Sequence, residues 1–238
     1  MKLKTESVDF EIHVSELVET WLKLMFNKQY EEADLLCTNF ITNYGSAFKQ
    51  RVFEVDDNEY NKLLILLILI KGLHDSVQIC QATSNGRWHE HNLIVEQVWI
   101  KLCDCKERLE FASRFYQGEV IRKVAQSLDG LESFFQKAFG NGMYLSPGII
   151  VDKYLCNICH KDSRACSHVA GRLYGGRICS YQSVNPQVNH VALVRVPKDL
   201  RCRIWSWHIQ DNDEGEGIAL KAPVLTSFSI DDFLLKID

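Results

Sequence analysis

The sequence predicts an α+β protein, an N-terminal antiparallel helical bundle followed by a small zinc-knuckle and β-hairpin module. Three observations lead there. Apolar residues recur at helical spacing as far as about residue 140, glycines and β-branched runs replace that pattern afterwards, and the second part opens on a cluster of cysteine and histidine. The expected division is a bundle over residues 1–148, a metal-binding β module over 149–210, and an acidic loop with a short C-terminal helix over 211–238.

Five helices account for the first part. Phe10, Val14, Leu17, Val18, Trp21 and Met25 define the first, and Leu35, Leu36, Phe40 and Ile41 the second, which Gly45 is expected to stop. The acidic stretch Asp56-Asp57-Asn58-Glu59 suits the start of a third. Its Leu63–Ile70 block is apolar on every side, as in the central helix of a bundle. At eight residues the block is far shorter than the roughly 20 needed to span a bilayer. The turn signal Ser84-Asn85-Gly86 precedes a fourth helix carrying Val95, Val98, Trp99, Leu102 and Leu109. Gly118 separates it from a fifth, with Ile121, Leu128 and Phe135 on its apolar face, and Gly140-Asn141-Gly142 ends that one.

Ser146-Pro147-Gly148 reads as a linker. Beyond it, Val188–Val196 reads as a strand, a turn follows at Pro197–Leu200, and Arg201–Ile209 reads as the second strand of a hairpin. The acidic segment Asp211–Gly217 is expected to form a loop, and Ser229 to cap a last short helix.

The strongest chemical signal is Cys156-Asn-Ile-Cys159, followed by Cys166-Ser-His168. Zinc takes four tetrahedral sulfur or nitrogen donors, and a Cys-x2-Cys turn is short enough for both thiolates to reach one ion. In an extended segment residues two apart share a side, so Cys166 and His168 supply the second pair. His160 and Cys179 are alternates for the fourth position. Four protein donors close the coordination shell, so the expected zinc is structural. The bland reading, buried cysteines beside a chance histidine, fits this spacing less well. The string Cys-x2-Cys-His-x-Asp-x3-Cys-x-His-x2-Gly-x2-Tyr-Gly-Gly over residues 156–176 resembles small zinc knuckles of bacterial and phage-associated proteins. That resemblance implies structural zinc and a bacterial or mobile-element setting, and carries no activity.

Charge is uneven. Residues 153–208 hold nine Lys or Arg against two Asp, a net +7, whereas residues 1–152 hold 16 against 22 and residues 209–238 two against seven. The metal module is thus the basic part of a protein whose formal charge is −4. Strand alternation would put Arg201, Arg203, Trp205 and Trp207 on one face, a surface able to grip phosphates and stack bases. The alternative has the tryptophans packed on the bundle and the arginines paired with its acids. His89, His91, His190 and His208 are the candidates for a metal-dependent nuclease. The expected function is instead a non-enzymatic binding or assembly component whose basic module contacts an acidic partner, protein or nucleic acid. No nucleophile elbow, phosphate-binding loop or HExxH motif occurs in the sequence. Nine cysteines without a secretory h-region fit reduced thiols in the cytoplasm, and no membrane association is expected.

Overall fold

A computed structural model describes residues 7–211 and 218–220, with side chains over 12–209. Five helices come first: α1 (Ser7–Phe26), α2 (Tyr30–Lys49), α3 (Asp57–Thr83), α4 (Asn92–Ser113) and α5 (Glu119–Phe139). Val14, Leu17 and Trp21 of α1 are buried at the expected three- and four-residue steps, as are Ala33, Cys37, Phe40 and Ile41 of α2. Asp56 caps α3 by accepting a hydrogen bond from the Glu59 amide at 2.9 Å. Nearly every side chain of the Leu63–Ile70 block is buried. By length and composition α3 is able to cross a membrane; in this fold α2 and α4 cover it. Gly45 does not stop α2. It is buried inside the helix, which runs on to Lys49, a single interior glycine being a tolerated cost of about 1 kcal/mol.

The strands follow: β1 (Met143–Ile150), β2 (Lys153–Cys156), β3 (Leu173–Tyr174), β4 (Arg177–Ile178), β5 (Tyr181–Val184), β6 (Gln187–Val194), β7 (Arg203–Ile204), β8 (Ile209–Asp211) and β9 (Ile218–Leu220). All pairings are antiparallel, in a three-stranded sheet ordered β6-β1-β7 and three two-stranded ribbons, β2-β5, β3-β4 and β8-β9. Two sequence expectations give way. Ser146-Pro147-Gly148 is not a linker but the middle of β1, so the expected boundary at 148 falls inside a strand. Proline is tolerated there because β7 reaches only Met143 and Tyr144, leaving β1 an edge at Pro147 on that side. The His190 ring lies where a Cβ on Gly148 would point, which explains the glycine beside the bulge that follows it. Arg201–Ile209 is not one long strand paired with β6. It breaks into the 3-10 turns Leu200–Cys202 and Ser206–His208 around the two-residue β7, and β1 lies between β6 and β7. The helix expected from Ser229, and the acidic loop beyond Asp211, fall outside the described residues.

Helices and strands share one apolar core, in which Tyr144, Ile178 and Trp205 join the helical side chains. The turn between β3 and β4 docks where α2 meets α3. There the Gly175 carbonyl accepts from the Arg51 guanidinium and the Gly176 amide donates to Asn61 Oδ1 at 2.8 Å. Gly176 has φ +72°, and a Cβ on it would come within 3.0 Å of Phe48 and 3.1 Å of Tyr60. Glycine is therefore required by both conformation and space.

Candidate metal centre

The backbone around Cys156 builds a socket for sulfur. β2 ends at Cys156, whose amide donates to the Lys161 carbonyl at 2.9 Å while its own carbonyl accepts from the His160 amide at 2.8 Å. His160 takes the left-handed conformation, φ +57°, that closes this tight turn. The Ile158 amide points at Cys156 Sγ, 3.4 Å away. Asp162 then caps a 3-10 turn over Ser163–Ala165 that delivers Cys166 in extended conformation. The His168 amide lies 3.3 Å from Cys166 Sγ, repeating the amide-to-sulfur arrangement. Tyr181 Oη donates to the His168 carbonyl at 2.6 Å, and the Tyr174 ring stands edge-on to the imidazole at 4.6 Å. Both tyrosines fix the direction in which His168 faces.

The donor atoms of Cys156, Cys159, Cys166 and His168 all lie within 4.8 Å of one another. Cys159 Sγ is 3.5 Å from Cys166 Sγ, which is 3.4 Å from His168 Nδ1. A tetrahedron with metal–sulfur arms of about 2.3 Å has edges of about 3.8 Å, so the four groups fit one ion with small adjustments. Electrostatics point the same way. Burial works against a charged Cys156, yet hydrogen bonds from the Cys159 and Ile158 amides and from the Cys166 and Cys159 thiols together outweigh it and bring its thiol down to about 6. Burial, with the neighbouring cysteines, pushes Cys166 up to about 11 and Cys179 up to about 12. Without a cation the cluster resists carrying several thiolates at once.

The two alternates behave differently. His160 is exposed and stands outside the group. Cys179 is fully buried with Sγ 3.9 Å from Cys156 Sγ, beside the group of four but not a member of it. Asn157 ties the two segments together, donating to the Ile178 carbonyl and accepting from the Ser180 amide, each at 2.9 Å.

Arg201, Arg203, Trp205 and Trp207 meet the helices. Arg201 binds Asp104 at 2.6 Å and also Glu107, both on α4. Arg203 donates to the Phe139 and Gly140 carbonyls at the end of α5, its guanidinium lying over Trp99 and Trp205. Trp205 is buried, and Trp207 stacks on it while donating to Glu96 at 2.6 Å. This is the covered arrangement, with Arg201 paired to bundle acids and Arg203 held by helix-end carbonyls and tryptophan rings. The candidate nuclease histidines do not assemble. His208 faces Glu96 at 3.0 Å, His190 is exposed over Gly148, and His89 lies beside Trp88 and Phe134. Among the described residues none of them, nor His91, belongs to a group able to hold a metal.

Comparison with family models, with curated proteins and with solved structures finds no match to any of them.

A second polar constellation was missed at sequence level. Asp75 is fully buried and bound to Arg108, which is also buried, with Lys101 at 3.5 Å. His74 Nε2 lies 2.9 Å from Asp34 Oδ1. Its only sequence trace is Lys71, His74 and Asp75 following directly on the most apolar run of the chain.

Proposed function

We propose that this chain is a zinc-stabilised binding or assembly protein whose basic module receives an acidic partner. The observation that carries this reading is how charge is used around the donor group. Both acids of residues 153–208 are engaged by arginines of the same segment, Asp162 by Arg164 and Asp199 by Arg201, whereas Lys153, Lys161, Arg172 and Arg177 of the knuckle and its hairpin are exposed. A positive surface of this kind draws in anionic surfaces and gives salt-sensitive association. Three thiols and one imidazole suit zinc, and with four protein donors no position is left for water or substrate, which favours a structural role. Bound there, zinc would cross-link the end of β2 to the loop before β3, across a stretch that buries few side chains of its own.

The test measures fluorescence anisotropy with a poly-glutamate peptide and, separately, a single-stranded oligonucleotide, at several salt concentrations, on protein whose metal content is known. One zinc per chain is expected. At least one probe should bind with an affinity that falls with salt, and Lys161→Gln with Arg172→Gln and Arg177→Gln should weaken it and flatten the salt slope. Salt-insensitive binding, or unchanged binding by the triple variant, would refute the proposal.

A further inference from the structure

The metal centre has one thiol more than a closed site uses. Cys179 is fully buried with its Sγ in contact with Cys156, yet it is not among the four donors that converge. We propose, resting on the reading of this centre as a zinc site, that its four thiols form a reversible peroxide-sensitive switch in which Cys179 resolves oxidised Cys156. Contacts set the pairing. Cys156 touches Cys159, Cys166 and Cys179, whereas the thiol that Cys179 touches is Cys156. Joining Cys179 to Cys156 therefore leaves Cys159 to Cys166, whose sulfurs are 3.5 Å apart. Backbone bonds hold the inner pair together without the metal. Cys156 lies opposite Tyr181 in the β2-β5 ribbon, and the Asn157 amide donates to the Ser180 carbonyl at 3.0 Å. The Cys179 amide donates to the Arg172 carbonyl and its own carbonyl accepts from the Gly171 amide, each at 2.8 Å. A buried cysteine acting only as a small apolar side chain needs no second sulfur beside it.

Cys159 and Cys166 are partly exposed while Cys156 and Cys179 are buried, so a small oxidant such as hydrogen peroxide meets the outer pair first. One outer sulfur attacks a peroxide oxygen; an S–O bond forms as the O–O bond breaks, and hydroxide leaves. The other outer sulfur then attacks the oxidised one, forming the S–S bond and expelling the bound oxygen as hydroxide. Over both steps the pair gives two electrons to one peroxide, which takes up two protons and ends as two waters. Cys156 and His168 remain, two donors where zinc takes four, so the ion is released. A second peroxide oxidises Cys156 in the same way, and Cys179 closes the disulfide before that sulfur advances to the irreversible sulfinic state. A reductant reverses both disulfides and restores the four donors. Because the bound ion joins the end of β2 to the loop before β3, oxidation loosens the segment that carries Lys161 and Arg172, and the basic surface comes under peroxide control.

The test takes the full chain, reconstituted with zinc and with its metal content measured, through hydrogen peroxide and then through a phosphine reductant with zinc restored. A chromogenic chelator follows the released ion, and peptide mass mapping without reduction identifies the disulfides. Peroxide should release the zinc and leave two crosslinks, one joining Cys159 to Cys166 and the other Cys156 to Cys179, and reduction should restore full zinc loading. Cys179→Ala keeps all four donors, so it should release zinc at a rate within about twofold of the wild type, yet recover about fivefold less after reduction, with sulfinic acid at Cys156. Zinc loading before oxidation shows that the variant has folded, and Cys179→Ser is the second variant should the first not load. Zinc retained under excess peroxide, no crosslink between Cys156 and Cys179, or full recovery by the Cys179 variants would each overturn the proposal. A chain that takes up no zinc would instead refute the zinc reading, and the crosslinks found in the oxidised chain then decide the thiol pairing by themselves.

Discussion

Replacing Arg201 by methionine tests the seam between the strands and the helices. The Arg201 side chain is 10% exposed and Asp104 13%, whereas Glu107 is 43% and Asp199 26% exposed. Burial raises the pKa of Asp104, and Arg201 works against that rise. The substitution keeps much of the stem's apolar bulk but strands Asp104 and brings three carboxylates together without their common cation. Breaking a buried pair costs about 3–5 kcal/mol, and an exposed one about 0–1 kcal/mol. Two of the three acids are partly solvated, and Arg108 remains 3.9 Å from Asp104, so about 3 kcal/mol is expected, by the lower end of the buried range. For a domain of this size that corresponds to a fall in Tm of roughly 6–12 °C. Urea unfolding measures the loss, and adding Asp104→Asn in the Arg201→Met background should recover part of it. A loss below about 1 kcal/mol, the value of a solvated pair, would show that the seam is open and that Arg201 is available to a ligand.

Two further outcomes follow from the titratable groups. Cys156→Ser, Cys166→Ser and His168→Ala should each remove or strongly weaken zinc binding in a chelator competition, His160→Ala should leave it unchanged, and affinity should rise with pH: Cys166, near 11 in the free protein, must release a proton to bind, and below the Cys156 value of about 6 a second proton competes. A flat pH profile would exclude these thiols as donors. His74, whose folded pKa lies below the ordinary histidine value of about 6.5 because it is buried, is protonated more readily in the unfolded chain. Stability should accordingly be full above that value and fall as pH drops through it, and denaturation of a His74→Gln variant should lack this part of the acid dependence.

The helices were legible because their determinants are local. The spacing of Val14, Leu17 and Trp21, the Asp56 cap and the breaks at Gly118 and Gly140 each act over a few residues, and all five elements stand where those signals put them. The donor group was legible for the same reason, since its four residues lie in one short segment whose turns bring them together. Gly45 misled because a glycine on a packed helix face carries the same letter as a helix stop.

Tertiary structure alone decided what depends on distant pairing. Pro147 is a strand residue because Val191 lies opposite it, and nothing within the Ser-Pro-Gly tripeptide announces that partner. Arg201 is a structural cation because Asp104 and Glu107, nearly a hundred positions earlier, fold against it. The sequence by itself determined the helices and the cysteine–histidine cluster, whose contacts span a few residues. The fold decided which charges pair across the chain, as Arg201 does with Asp104 and Glu107, because Coulomb energies and burial depend on distance in space.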